Sequence, residues 1–142
     1  MGLGKKEKNF EKYLIKHFGL MLPEEVRLFY AQGIRVGNKE IISSSIHGEL
    51  GYAACDAGFN PTNAFIQNFG HFAKKNVIKV RVSEAKDFAA GKDLNIDLGR
   101  SNKYIVVRYG SLTIGLGEYD SKKKRILNKI PEKRRRTIIN EI

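Results

Sequence analysis

Hydrophobic residues recur along the chain with two different periods, and these periods separate predicted helices from predicted strands. Residues 7–18 carry Phe, Tyr and Leu side chains at helical spacing with charges between them, and Gly19 is a suitable end for that helix. Residues 61–73 repeat the helical pattern behind Pro61, which suits a first helical turn. The pattern predicts two amphipathic helices in the first half of the chain.

The stretch between these helices carries signals for a further helix and for a hairpin. Residues 23–25, Pro-Glu-Glu, predict a helix start, because proline and acidic residues favour the first turn, and Gly33 would end that helix. Residues 34–43 then place two β-branched runs around Gly37-Asn38. This pair accepts the positive φ angles of a two-residue turn, so we expect a β-hairpin.

Strand-like patterns dominate the second half of the chain. The predicted strands are residues 76–82, 94–97, 103–109, 111–119 and 125–130. One short helix, residues 84–91, begins after Ser83, which can cap it. The pattern predicts an α+β fold, with an N-terminal α/β subdomain (residues 1–74) followed by a mostly β unit with one helix (residues 75–142) that closes into a small barrel.

The chain is strongly basic, with a net charge of +11 over 142 residues. The excess is uneven, because residues 119–142 hold nine Lys and Arg against three acids, whereas the rest of the chain carries only +5. Such a cluster attracts phosphate groups at long range and favours a nucleic-acid partner. A surface that serves only solubility is the alternative.

The glycines of residues 115–117, Gly-Leu-Gly, raise the question of a phosphate-binding loop. A dinucleotide fingerprint needs a third glycine that opens a helix, and a P-loop needs a Gly-Lys-Ser/Thr ending, and the sequence has neither. We therefore interpret Gly115 and Gly117 as positions where a strand bends sharply or another backbone approaches closely.

Catalytic and metal chemistry find little support in the residues. His17, His47 and His71 are scattered along the chain. His47 and Glu49 form only a weak pair. Cys55 lies among alanines with no adjacent base, so we interpret it as a small buried hydrophobe and not as a nucleophile. We predict no enzymatic activity, no cofactor and no metal.

The single cysteine also bears on location. One cysteine cannot form an internal disulfide, so a reducing, cytoplasmic location is the default expectation. No apolar run approaches the roughly eighteen residues of a membrane span, and we expect no membrane partner.

Residues 108–136, RYGSLTIGLGEYDSKKKRILNKIPEKRRR, resemble the closing segment of the C-terminal RNA-binding region of the Sun/Fmu family of ribosomal RNA 5-methylcytosine methyltransferases. That segment has a strand ending in Arg-Tyr, a turn, a Gly-x-Gly strand, a basic hairpin and an apolar-Pro-basic ending. Upstream, FNPTNAFIQNF resembles the family's Pro-Ser/Thr-x-Ala helix, and RVSEAKDFAAGKDL resembles its Ser-Glu-x-x-Ala helix. The likeness spans residues 59–136 and extends more faintly through residues 34–43.

The resemblance implies a PUA-like barrel that binds RNA. The small two-domain PUA factor of large-subunit ribosome assembly is a second relative, because its Phe-Gly-x-Phe segment resembles residues 69–72. Both relatives act in ribosome maturation, which implies ribosomal RNA as the partner. The 142 residues leave no room for the family's methyl-transfer domain, and Cys55 lacks the Pro-Cys or Thr-Cys context of its catalytic cysteines. We expect a stand-alone binding module without methyltransferase activity.

The residues predicted to bind RNA lie on the last strands and the basic tail. They are Arg108, Tyr109, Gly115, Gly117, Lys122, Lys123, Lys124, Arg125, Lys129, Lys133, Arg134, Arg135 and Arg136. A secondary set consists of Lys74, Lys75, Lys86 and Lys92. Tyr109 and Tyr119 are candidate stacking partners for bases, with barrel packing as the equal alternative.

The sequence thus predicts a non-catalytic RNA-binding protein of ribosome biogenesis or rRNA modification. A separately encoded RNA methyltransferase or assembly factor is a candidate partner. The alternative is a protein-interaction adaptor in such a complex, whose basic tail docks an acidic partner.

Overall fold

The computed structural model describes residues 4–38 and 51–142, which form four helices and two sheets. The helices are α1 (Lys5–Tyr13), α2 (Asn63–Phe69), α3 (Val82–Ala89) and α4 (Glu132–Ile139). The strands are β1 (Val26–Tyr30), β2 (Ile34–Asn38), β3 (Tyr52–Ala53), β4 (Val77–Lys79), β5 (Lys103–Tyr109), β6 (Leu112–Asp120) and β7 (Arg125–Asn128). The predicted α+β class is confirmed.

The larger sheet has the strand order β4-β5-β6-β7. β4 runs parallel to β5, and the other neighbours are antiparallel. A helix-containing connection joins the parallel pair, because a tight turn cannot join parallel neighbours. β5 and β6 meet across Gly110-Ser111, as the sequence predicts, and the φ of +58° at Gly110 suits glycine. Among the described residues, β4 and β7 remain edge strands, so the expected closed barrel does not form.

Both faces of the larger sheet are covered, which creates two cores. Successive residues of a strand point to opposite faces. Val106 and Leu116 pack with side chains of α1, α2 and the β1–β2 hairpin. Ile105 and Val107 pack on the other face with α3 and α4. Ile114 joins them there, because a register shift opposite Val107 and Arg108 leaves it unpaired and interrupts the alternation. The N-terminal part therefore shares a core with β5 and β6, and a domain boundary after residue 74 stays a prediction.

The first predicted helix is confirmed, but only its first part is a regular α-helix. α1 continues into a π-helical turn, Leu14–Phe18, and ends at Gly19 with a φ of +57°. Phe10, Leu14 and Phe18 are buried along one side, as the hydrophobic period predicts.

The helix expected after residues 23–25 is wrong, because the chain forms β1 there. The residues that follow, Val-Arg-Leu-Phe-Tyr, have high β propensity, and pairing with β2 buries Leu28 and Ile34. The turn lies at residues 31–33, with positive φ angles at Gln32 (+54°) and Gly33 (+110°). This tertiary pairing outweighs the local helix-start signal.

The turn expected at Gly37-Asn38 is also wrong. Both residues belong to β2, where they pair with Arg27 and Val26. The pairing with β1 continues through them, so their capacity for positive φ is not used. The second run of the expected hairpin, residues 39–43, lies outside the described residues.

The elements of the second half agree with the sequence pattern except at their ends. The strand expected over residues 76–82 stops at Lys79, and α3 begins behind Arg81, whose backbone N–H donates to the Glu84 carboxylate at 3.0 Å. Ser83 is therefore inside the helix and is not its cap. The strand expected over residues 94–97 is reduced to a single bridge between Leu94 and Ile126.

The C-terminal tail is a helix, which the sequence reading missed. α4 begins directly after Pro131 and packs near α3, with Ile138 buried in the second core. The hydrophobic pattern of α4 is weak, because Ile138 is its one buried residue and four of its eight residues are cationic.

Gly115 and Gly117 are positions of close approach, but the groups that approach them are side chains and not the second backbone that the sequence predicts. Both are buried in β6, and the Ile130 and Ile126 side chains occupy the space where their Cβ atoms would lie. A Cβ on Gly117 would approach Ile126 Cγ2 to 2.4 Å, and one on Gly115 would approach Ile130 Cγ1 to 2.6 Å. The glycines leave room for the Ile126 and Ile130 side chains to pack against β6.

We expect Gly117→Ala to lower the free energy of unfolding by about 1–3 kcal/mol through overpacking. Urea titration followed by circular dichroism measures this change. Ile126→Ala provides the control background, because it removes the clashing group, and there the added cost of Gly117→Ala should shrink. An equal cost in both backgrounds contradicts the close-approach explanation.

Candidate nucleic-acid interface

The strand directions bring three distant segments to one end of the larger sheet. β4, β5 and β7 begin at this end and β6 finishes there, with Lys103 opposite Tyr119 and Asp120 opposite Arg125. We call it the basic end. Its cations are Lys74, Lys75, Arg100, Lys103, Lys122, Lys123, Lys124 and Arg125.

Polar contacts hold the three segments of the basic end together. The backbone N–H of Ser121 donates to Asn102 Oδ1 at 2.7 Å, which links the β6–β7 turn to the approach to β5. Asn76 accepts the Val106 N–H on its backbone oxygen at 2.9 Å, and its side-chain oxygen lies 3.5 Å from Arg100 Nη1. The segment preceding β4 is therefore fixed beside Arg100.

The cations of the basic end make no ion pair with a carboxylate of residues 4–38 or 51–142. The ion pairs in that part of the chain are Lys92–Asp87 at 3.6 Å and Lys129–Glu118 at 3.2 Å. Lys74, Lys75 and the three lysines at 122–124 are exposed, whereas Lys103 and Arg125 are half-buried. The charges of this end are thus available to an anionic ligand.

The carboxylates nearest to these cations shape the loops. Asp120 accepts the backbone N–H groups of Lys122 and Lys123 at 2.9 and 3.1 Å. The Lys123 N–H contributes most to the lowered pKa of Asp120; the Lys122 N–H and the two ammonium charges add to it, against partial desolvation. The carboxylate stays ionised and fixes the lysine turn.

A second carboxylate, Asp97, orders the loop before β5. It accepts the Gly99 N–H at 2.9 Å and the Tyr119 hydroxyl at 2.8 Å. These two bonds, the Gly99 N–H first, lower the pKa of Asp97 despite some desolvation. Tyr119 itself is 1 % exposed, so the packing alternative holds for it and the stacking role is wrong. Tyr109 is half-buried beside the second core.

Several predicted binding residues are engaged inside the fold. Arg108 Nη2 donates to the Gly70 backbone oxygen at 2.6 Å and lies 3.4 Å from that of Ala73, which ties the end of α2 to the sheet. Arg135 Nε donates to the Ile130 oxygen at 3.2 Å. Lys129 pairs with Glu118 although its side chain is 41 % exposed, and Gly115 and Gly117 are buried. Each of these five residues therefore has a contact or a buried position within the fold.

The predicted C-terminal cluster is split into two groups, which corrects the single surface expected from sequence. Lys122, Lys123 and Lys124 precede β7 and Arg125 begins it, whereas the α4 cations follow it at the opposite end of the sheet; these are Lys133, Arg134 and Arg136. The four residues of β7 alone separate the groups by about 13 Å at about 3.3 Å per residue. Proximity in sequence does not become proximity in space.

Arg134 belongs to a separate polar cleft. The cleft has a volume of about 320 Å³ and is lined by Gln67, His71, Thr113 and Arg134 among others. Arg134 Nε donates to Gln67 Oε1 at 3.3 Å. The Thr113 hydroxyl is buried and has no hydrogen-bond partner within the described part of the chain.

The secondary set of cations divides in the same way. Lys74 and Lys75 join the basic end, whereas Lys86 lies on α3 and Lys92, which follows α3, pairs with Asp87.

Arg100 and Lys103 also belong to the basic end, and the sequence analysis predicted neither of them. The signal was present, because a strand–helix–strand pattern over residues 76–109 requires parallel pairing and so brings both strand starts together.

Of the residues considered for catalysis, Cys55 and His17 pack within the fold and His71 is exposed. Burial, with a contribution from the Asp56 charge, raises the pKa of the Cys55 thiol to about 11. The His17 ring stacks on Tyr13 at 5.2 Å and its Nε2 lies 3.0 Å from the Tyr104 oxygen. His71 is exposed beside the Arg134 cleft.

Over the described ranges, no three His, Cys, Asp or Glu side chains are grouped so that they could hold a metal ion. His47 and Glu49 lie outside those ranges. Within the same ranges, no helix has the length and apolar character that a membrane crossing needs.

Neither a protein-family model nor a curated protein matches the chain.

Lowering the pH should destabilise the protein in the acid range. The folded-state pKa values of Asp97 and Asp120 are depressed, so their stabilisation is complete above the unfolded value of about 4 and is lost as the pH falls through the folded values. Thermal melts at neutral and acid pH measure this loss.

The matched variant for this test is Asp120→Asn. It should melt earlier than the parent at neutral pH and lose less stability on acidification, because its turn no longer titrates. An acid loss as large as that of the parent contradicts the assigned role of Asp120.

Proposed function

We propose that the protein is a non-catalytic RNA-binding protein whose basic end holds the sugar-phosphate backbone of a folded RNA. One observation carries this proposal: eight cations from three segments, distant in sequence, converge at one end of a rigid sheet without pairing to a described carboxylate. Clustered like charges repel one another and destabilise a fold. A polyanionic ligand offsets this repulsion, so a surface of this kind favours such a ligand.

The mode of recognition follows from the side chains at the basic end. Lysines supply point charges that neutralise phosphates and release counterions, while Arg100 can fork onto phosphate oxygens. Rigid phosphate contacts position a folded RNA without reading its sequence, so recognition is led by shape. Each neutralised phosphate should contribute about −0.7 to −0.9 to the slope of log affinity against log salt concentration.

We further propose that the RNA is ribosomal and that residues 59–136 are related to the PUA-like region of the Sun/Fmu methyltransferases. The order of elements supports this idea. Arg108-Tyr109 ends β5, a tight turn follows, Gly115 and Gly117 lie on β6, and the lysine turn leads into β7. Ser83-Glu84, the part of the family's Ser-Glu-x-x-Ala motif that this chain shares, lies on α3, whereas Asp87 stands at the position of the motif's alanine.

A protein-interaction adaptor is the second candidate function, and α4 favours it. This helix presents Lys133, Arg134 and Arg136 to solvent together with Ile139, which is 38 % exposed. Cations beside an exposed apolar side chain suit an acidic partner helix or segment. The two candidates therefore use opposite ends of the sheet.

A pair of matched charge reversals tests the proposal. Lys122→Glu/Lys123→Glu/Lys124→Glu should weaken binding of a structured ribosomal RNA fragment by about tenfold or more, because several phosphate contacts become repulsive. Lys133→Glu/Arg134→Glu/Arg136→Glu changes the charge equally at the other end and should weaken binding far less. Filter-binding titrations at one fixed salt concentration measure both.

Far-UV circular dichroism of both triple variants confirms that they fold. Equal losses in the two variants would show a response to net charge and contradict a site at the basic end. A loss confined to the α4 variant would contradict it as well and would favour the adaptor function.

A further inference from the structure

A cavity of about 510 Å³ lies away from the basic end, among the start of α1, the β1–β2 turn and the loop at residues 55–60. Lys6, Tyr30, Ile34 and Phe59 contribute to its lining. The proposed function leaves this cavity unused.

Two aromatic side chains at this cavity are exposed. Tyr30 is 55 % exposed and Phe59 is 39 % exposed, whereas aromatic side chains are usually buried in a core or an interface. Lys6 Nζ lies 5.0 Å from the centre of the Tyr30 ring, a cation–π arrangement. The cavity therefore offers flat apolar faces with a cation beside them.

The loop that carries Phe59 is held in an uncommon conformation. Phe59 has a φ of +63°, a value that bulky residues rarely adopt. Asp56 fixes the loop, because its carboxylate accepts the N–H groups of Gly58 and Asn60 at 2.8 and 3.0 Å and the Asn60 side-chain amide at 3.1 Å. Backbone strain that the surroundings maintain in this way is characteristic of ligand-binding positions.

The cavity has two charged groups, the Lys6 ammonium and the Asp56 carboxylate. Partial desolvation acts to raise the pKa of the Asp56 carboxyl, but its hydrogen bonds from Asn60 and Gly58 outweigh this effect and lower it. An ionised carboxylate in the lining disfavours a phosphate inside the cavity. An uncharged, flat group with N–H donors fits better.

A stripe of lysines runs along α1 from its first turn, where Lys6 lines the cavity, toward the basic end. Lys5, Lys8, Lys12 and Lys16 are exposed at steps of three and four residues, which places them on one helical face about 17 Å long. Of the acids of α1, Glu7 lies on another face, whereas Glu11, three residues after Lys8, lies at the edge of the stripe. Lys75 Nζ lies 3.5 Å from the Lys16 oxygen, so the stripe reaches the basic end.

We propose that the Tyr30–Phe59 cavity takes an unpaired base of the bound RNA, while the adjoining sugar-phosphate backbone follows the lysine stripe of α1 to the basic end. This inference rests on the proposed RNA-binding function. The rings supply the stacking faces, Lys6 stands at the rim, and Asp56 keeps phosphate out of the cavity. Such stacking tolerates any base, because each base has a π face.

Two RNA duplexes that differ by a single bulged adenosine test the proposal. In fluorescence anisotropy titrations, the parent protein should bind the bulged duplex about tenfold more tightly than the fully paired one. Tyr30→Ala/Phe59→Ala should bring that ratio to about one and leave the affinity for the paired duplex unchanged. Met21→Ala, which removes a 70 % exposed side chain outside the cavity, should keep the ratio.

A second variant separates ligand binding from structure. Phe59→Gly removes the ring and relieves the left-handed strain, so it should retain thermal stability and still lose the preference for the bulge. A preference that survives in the aromatic variants, or one that the parent lacks, overturns the cavity assignment. Failure of the parent to bind either duplex instead contradicts the RNA-binding function itself.

Discussion

The parallel pairing of β4 with β5 determines which charges of this protein meet. Its register pairs Val77 with Val106 and Lys79 with Arg108. Backbone hydrogen bonds of 2.9 Å extend it at both ends, from the Val106 N–H to Asn76 and from the Val80 N–H to Arg108. Because β4 runs with β5, the lysines that precede β4 lie beside Arg100 and Lys103. An antiparallel pairing would put them at the far end, beside α4, and the basic end would lose its first segment.

Burial on both faces of the sheet explains why a binding surface forms at an end. β5 and β6 are apolar on both sides, since α1 and α2 cover one face and α3 and α4 the other. Gly115 and Gly117 permit this covering, because isoleucine side chains from the β7 segment lie directly over them. Charged residues therefore collect at strand starts and turns, where water and a large ligand can reach them.

The local sequence pattern was enough to predict the elements that depend mainly on residues close to one another in the sequence. The helix over residues 7–18 and the hairpin around Gly110 followed from spacing and turn chemistry. The region after Pro23 did not, because pairing with β2 decides its conformation. The lysine turn was identified correctly as cationic, but its neighbours were not, since strand direction brings Arg100 to it and carries Arg134 away. Long-range pairing thus governed the site more than the fold class.

The central claim is that the three segments of the basic end act as one surface, and a backbone amide NMR titration with a structured ribosomal RNA fragment tests it most directly. The account predicts that amides of residues 74–76, 99–103 and 121–125 shift together along one binding curve, while those of residues 132–136 stay in place. Shifts confined to residues 132–136, or separate curves for the three segments, would contradict it.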